Sequence, residues 1–141
     1  MQLEIAQKIV AATLASGRSH KFKPLAVVVL DGRGSLRAAA AEDGTSLKRA
    51  EIATAKAHGA LAMGLGSRTL FTRSQQQPQF IAAVTHAVGG QLIPVPGGVL
   101  VKDAGGALLG AVGVSGDTSD NDEIAALAGI EAAGCKGDPG A

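Results

Sequence analysis

Apolar positions recur along this chain with two different periods, and the places where the period changes mark its elements. Leu3, Ala6, Ile9, Val10, Thr13 and Leu14 follow a helical spacing, and Gly17 with Arg18, His20 and Lys21 makes a cation-rich helix end. After Pro24 the run Leu25–Leu30 shows no polar alternation, which predicts a buried strand. Asp31-Gly32-Arg33-Gly34 is a hairpin signal, and Ser35–Ala41 is the returning strand. The longest helix is expected over 46–65, with Leu47, Ala50, Ala57 and Leu61 along one face. Residues 67–79 read as a polar loop, rich in Ser and Gln and broken by Pro78. Phe80, Val84, Ala87 and Val88 predict another helix, stopped by Gly89-Gly90. Val99–Lys102 and Ala107–Val114 form a second hairpin around Asp103-Ala104-Gly105-Gly106, and a final helix covers about 120–133. The tail from Gly134 is expected to be mobile.

Strands joined by tight hairpins run antiparallel, and the helices must then cover the sheet. The pattern predicts an α+β domain: an antiparallel sheet of four to five strands flanked by helices, spanning 1–133, with 134–141 as a mobile tail. Composition changes this picture in one respect. Apolar residues make up 46% of the 141, yet there is no Trp, no Tyr and only three Phe. The bulk is Ala, Val, Leu and Ile, each alanine burying little area, so a homo-oligomer is the expected state. Missing aromatics also remove the stacking platforms of single-strand nucleic-acid binding. The net charge of +1 hides an asymmetry: residues 1–74 carry eleven Lys/Arg against five Asp/Glu, and residues 75–141 carry two against seven. Either the halves interleave and their fields cancel, or a basic face receives an anionic ligand. Cys135 stands alone, Glu4 and Lys8 interrupt the N-terminal apolar run, and no segment approaches the ~20 apolar residues of a membrane span. A cytoplasmic location with no membrane partner is expected.

Chemistry concentrates around the second hairpin. Pro94-Val95-Pro96-Gly97-Gly98 leads into it, Gly110–Gly116 has almost no side-chain bulk, and Asp122-Glu123 follows. Glycine inside a strand marks a close approach by another backbone, a subunit or a ligand. Gly97 and Gly98 offer backbone N–H groups to an anion, or simply serve the turn. Arg49 and Lys56, seven residues apart, share one side of a helix, and Arg68 opens the next segment; all three suit carboxylates or phosphates. Asp43 and Asp122 are candidate proton-transfer carboxylates, while Asp120 and Glu123 have capping-box spacing. His20 sits where a cation complements a helix dipole, His58 on a helix flank, and His86 opposite an apolar stripe; none has a partner at metal-ligand spacing. Gly113-Val114-Ser115-Gly116-Asp117 falls short of the hydrolase elbow by its last residue.

The order of these pieces resembles the GlcG/HbpS family of small heme-binding and heme-degrading domains, which includes a domain attached to some corrinoid adenosyltransferases. The resemblance runs through the first helix, Leu25–Asp31-Gly32, Glu42-Asp43-Gly44, Ile52-Ala53 with Lys56-Ala57, Arg68-Thr69, Pro96-Gly97-Gly98, and Gly110–Gly116 with Asp122-Glu123. It implies a profilin-like fold, multimeric assembly and, for some members, heme. Lys56 and Thr69 match positions of the family pattern. Heme needs only one axial side chain and an apolar slot, so scattered histidines are compatible with it. Two functions follow as expectations. One is an oligomeric module binding heme, another tetrapyrrole or a related anionic small molecule through Arg49, Arg68, Thr69, Gly97 and Gly98. The other is an enzyme without metal or nucleotide, acting on a small carboxylate or carbonyl metabolite, with Lys56, Asp43, His58 and Asp122 as its catalytic groups.

Overall fold

The apolar run after Pro24 is buried on both of its faces, and the fold is arranged around it. The computed structural model describes residues 1–141. Its elements are α1 (Leu3–Ser19), β1 (Ala26–Asp31), β2 (Leu36–Ala41), α2 (Arg49–Met63), α3 (Ser67–Gln76), α4 (Pro78–Ala87), β3 (Gly98–Lys102), β4 (Leu108–Ser115), α5 (Ser119–Ala132) and β5 (Lys136–Asp138). The strands form one antiparallel sheet in the order β2-β1-β4-β3-β5. The two hairpins join through β1 and β4, which pair from Ala26 with Ser115 to Asp31 with Gly110. The basic and acidic halves of the chain therefore interleave at the centre of the sheet.

Strand alternation sends Val27, Val29, Val99, Val101, Val112 and Val114 to one face, where Ala6 and Ile9 of α1 and Ala125, Ala126 and Ile130 of α5 cover them. Val28, Leu30, Leu100 and Ala111 point to the other face, under Ala53, Ala57 and Ala60 of α2. Leu70, Ile81 and Leu92 make a small satellite core that fastens α3 and α4 beside α2. Gly64, at φ +67, ends α2 in the left-handed conformation that glycine adopts without a Cβ penalty.

The structure corrects four expectations. The polar stretch 67–79 is helical to Gln76, and Pro78 opens α4 at its first turn, where its missing N–H costs nothing. Leu47 lies outside α2 and is 87% exposed; the buried face of α2 is Ala53, Lys56, Ala57 and Ala60. The cap of α5 is Thr118, whose hydroxyl accepts from Asn121 N at 3.2 Å, and Asp120 and Glu123 do not form the box. The tail is no loose end, because Lys136–Asp138 pairs with β3 and the Lys102 ammonium meets Asp138 at 2.7 Å.

Asp117 ties the entry of β1 to the start of α5. Its carboxylate accepts from Lys23 N at 2.7 Å, Asn121 Nδ2 at 2.8 Å and Thr118 N at 2.7 Å. The bond from Lys23, then those from Asn121 and Thr118, hold its pKa below the ordinary carboxylate value. A carboxylate depressed in the folded state contributes stability above its unfolded pKa, about 3.9, and loses it as pH falls through the lower folded value. Acid unfolding followed by circular dichroism is expected to steepen below about pH 4, and Asp117→Asn should flatten that limb. An unchanged acid limb in the variant would show that the three bonds contribute nothing.

Candidate functional site

The helix α2 approaches the sheet where Gly98 and Gly113 stand opposite each other on β3 and β4. A Cβ at Gly113 would fall on the carbonyl oxygen of Ala53, and one at Gly98 on that of Lys56. The missing side chains let the helix backbone rest directly on the strands. Lys56 is carried under the sheet end at 2% exposure, and its Nζ donates to Asp122 Oδ2 and to Val114 O, both at 2.9 Å. The other Asp122 oxygen accepts from Asp117 N at 3.0 Å. Burial pushes the Lys56 amine down and the Asp122 carboxyl up, and the attraction between the two opposes both shifts. The Gly97 turn, at φ +116, closes over the ammonium so tightly that a Cβ there would stand 2.9 Å from Nζ. Of the three partners that strand glycines can admit, a backbone, a subunit or a ligand, the one found against Gly98 and Gly113 is a backbone, that of α2.

The remaining candidates are dispersed and mostly engaged. Arg49 donates through Nη1 to Ser115 Oγ at 3.3 Å and through Nε to Ser46 Oγ at 3.0 Å. Arg68 donates through Nε to Glu123 at 3.1 Å and through Nη2 to Asp120, and these two carboxylates raise its pKa. It lines an open cleft of about 350 Å³ with Phe71, Val95, Pro96, Ser119 and Asp120, but its charge there is already matched. The Thr69 hydroxyl accepts from Ala141 N at 2.9 Å, so the C-terminal residues occupy it. Gly98 N donates to Ser67 Oγ at 2.7 Å. Asp43 lies exposed in the turn after β2, and His58 gives its Nδ1 to Gln91 O at 2.8 Å, away from the Lys56–Asp122 pair. The four groups proposed as catalysts thus occupy three places. Basic residues of the first half meet acids of the second, Lys56 with Asp122 and Arg68 with Asp120 and Glu123, which is where the charge asymmetry goes.

An open arrangement appears instead at the end of α1. Phe22 N donates to Gly17 O at 2.9 Å and Lys21 N to Arg18 O at 3.1 Å, the two bonds of a Schellman cap. The position that normally takes glycine holds Lys21, at φ +59 the sole non-glycine residue of the chain with positive φ. Such a conformation costs on the order of 1 kcal/mol and marks a place worth a functional question. Its consequence is that Phe22 folds back and stacks on His20, with ring centroids 5.0 Å apart. His20 Nδ1 lies 2.9 Å from Ser16 O. A carbonyl oxygen only accepts, so Nδ1 carries the proton, and in the neutral ring Nε2 is left as a free lone pair. Arg18 pairs with Glu42 at 3.5 Å, whereas the ammonium groups of Lys21 and Lys23 make no ion pair. The run His20-Lys21-Phe22-Lys23 is visible in the sequence, but the left-handed turn that assembles it is not.

Three solved structures share this architecture. A heme complex of PduOC superposes with a TM-score of 0.83 at 22% identity, covering 94% of each chain. HbpS superposes with a TM-score of 0.79 at 26% identity, covering 93% of this chain and 88% of its own. The ORFY protein of Klebsiella pneumoniae gives 0.83 at 22% identity, covering 94% and 90%. No curated protein matches the sequence. The family model described as haem degrading protein HbpS-like matches residues 1–131, nearly the whole domain from α1 through α5, and the chain belongs to that family.

Proposed function

We propose that this protein binds heme, or a closely related anionic tetrapyrrole, at the end of α1 with His20 as the axial ligand. Family membership makes a tetrapyrrole the first ligand to consider, and the His20 turn supplies the observation that carries the reading. Iron takes a neutral imidazole through one nitrogen when the other is held by a backbone carbonyl, because that bond fixes the tautomer and the ring plane. His20 meets this requirement through Ser16 O, and the Phe22 ring fixes its orientation from one side. Lys21 and Lys23 are the free cations for the acidic side groups of the macrocycle. Bound heme supplies a redox-active iron centre; the protein's own part is to ligate it, orient it and neutralise its carboxylates. Because His20 is exposed, a second copy of the chain is the natural cover for the outer face of the macrocycle.

The test is a hemin titration of the purified protein, followed at the Soret band. A saturable, shifted band is expected for the wild type, as is its loss, with affinity at least tenfold weaker, in His20→Ala. His86→Ala should titrate like the wild type. A wild-type spectrum identical to free hemin, or a His20→Ala variant that binds unchanged, overturns the assignment. The enzyme reading built on Lys56 and Asp122 gains no support from the geometry, since each group is sealed against the other and neither meets solvent.

A further inference from the structure

A separate cleft lies where the β1–β2 turn meets α2. It measures about 150 Å³ and is lined by Gly32, Arg33, Gly34, His58, Leu61 and Ala62. The turn is held by its own bonds: Asp31 Oδ1 accepts from Arg33 N at 2.9 Å and Ser35 N at 3.0 Å, and Gly34 N donates to Asp31 O at 2.9 Å. That carboxylate is occupied with the backbone, and the Arg33 guanidinium makes no ion pair with it or with any other acid. Across the cleft, His58 donates its Nδ1 proton to Gln91 O at 2.8 Å. As at His20, Nε2 of the neutral ring is an acceptor, and nothing in the molecule donates to it. Gly34, at φ +85, takes the left-handed conformation of the turn beside this ring, where a Cβ would stand in ordinary contact, 3.5 Å from His58 Cδ2.

We propose that this cleft binds a small 2-hydroxycarboxylate, independently of the tetrapyrrole reading. Each wall asks for one part of such a molecule. The Arg33 fork takes a carboxylate through two parallel hydrogen bonds. The His58 Nε2 lone pair takes a hydroxyl hydrogen, which a simple fatty acid cannot offer. Leu61 and Ala62 give the one apolar wall, suited to a short carbon stub. A water's share of liquid volume is about 30 Å³, so the space matches a ligand of roughly five or six heavy atoms. The imidazole is pre-oriented on a helix and the guanidinium sits on a hydrogen-bonded turn, so little ordering is required on binding.

The experiment is a titration of the full chain with L-lactate, read at the His58 ring nitrogens by long-range proton–nitrogen NMR at fixed ionic strength. Expected is a saturable movement of the Nε2 resonance, with propionate at least tenfold weaker because its binding leaves Nε2 unpartnered. Arg33→Gln, a change at an exposed turn residue, should abolish the response while leaving the amide spectrum folded. Equal affinity for propionate, a response reproduced by sodium chloride, an unaltered Arg33→Gln titration or no movement at all each overturns the proposal. None of these outcomes depends on whether hemin binds at His20.

Discussion

Lys56→Met is expected to lower the unfolding free energy by about 3–5 kcal/mol, the cost of leaving one member of a buried ion pair without its partner. The side chain is nearly conserved in volume, so packing is not what is lost. Asp122, at 1% exposure, retains only the Asp117 N–H at 3.0 Å, and Val114 O loses its donor altogether. Against a total stability of roughly 5–15 kcal/mol for a domain of this size, such a loss is a large fraction. Two companion measurements separate charge from shape. Asp122 already has a pKa raised by burial, and removing the ammonium takes away the main influence holding it down. A carboxyl raised in the folded state favours folding below its unfolded pKa and loses that contribution as pH rises through the folded value. The deficit of Lys56→Met should therefore be smaller near pH 4 than near pH 8. The double variant Lys56→Met/Asp122→Leu carries no buried charge and should recover at least 1 kcal/mol relative to the single change, because apolar replacement of a whole buried pair is often neutral. Chemical denaturation of the three proteins at two pH values decides it. A single variant within 1 kcal/mol of wild type, or a double variant no better than the single, would show that the pair is not electrostatically isolated.

The same pair shows how far the sequence could be read. Arg49 and Lys56 share a helix side as their spacing demands, but a lysine at the centre of that side signals a solvated or ligand-facing surface. Its true setting depends on Gly98 and Gly113 being opposite one another, a register that no local pattern encodes. The glycines were legible as a place of close approach; which backbone approaches was not. Strands β1, β3 and β4 and the two hairpins follow from apolar runs and Asp-Gly or Gly-Gly turns, since buried strands and tight turns are determined locally. Helix α3 is different. It buries Leu70 and little else of its apolar content, and its neighbours at Ile81 and Leu92 come from later in the chain. Strand β5 is Lys-Gly-Asp, with no β-forming residue. Its pairing comes from the open edge of β3 and from the Lys102–Asp138 contact. Both are tertiary consequences that override propensity. His20 falls between these cases: the cations and Phe22 beside it were visible, while the positive φ at Lys21 that stacks the rings exists only in the folded chain.

Gly113→Ala is the second large effect, and it tests the contact on which the fold's central layer depends. Adding a methyl group to a strand residue is ordinarily mild, and alanine even removes unfolded-state freedom, which by itself stabilises by about 0.4–1 kcal/mol. Here the new Cβ would overlap the Ala53 carbonyl oxygen and sit 3.1 Å from Ala57 N. These are backbone atoms in the middle of a helix, so no side-chain rotation relieves the overlap. Relief requires α2 to lift from the sheet. Lifting it pulls Lys56 Nζ away from Asp122 and Val114 O and opens the packing of Ala53, Ala57 and Ala60 on Val28, Leu100 and Ala111. Overpacking alone costs about 1–3 kcal/mol, and the coupled loss of the buried pair adds to it, so a destabilisation of about 3 kcal/mol or more is expected. Gly105→Ala is the matched control: its nearest neighbour would be the Asp103 carboxylate at 3.5 Å, an ordinary contact, and the change should stay within about 0.5 kcal/mol. Combining Gly113→Ala with Lys56→Met should cost less than the sum of the two, because both act through the same contact between helix and sheet. Strict additivity in urea denaturation would instead mean that the helix yields at Gly113 without disturbing Lys56, and that the glycine pair and the buried ion pair are separate features of the fold.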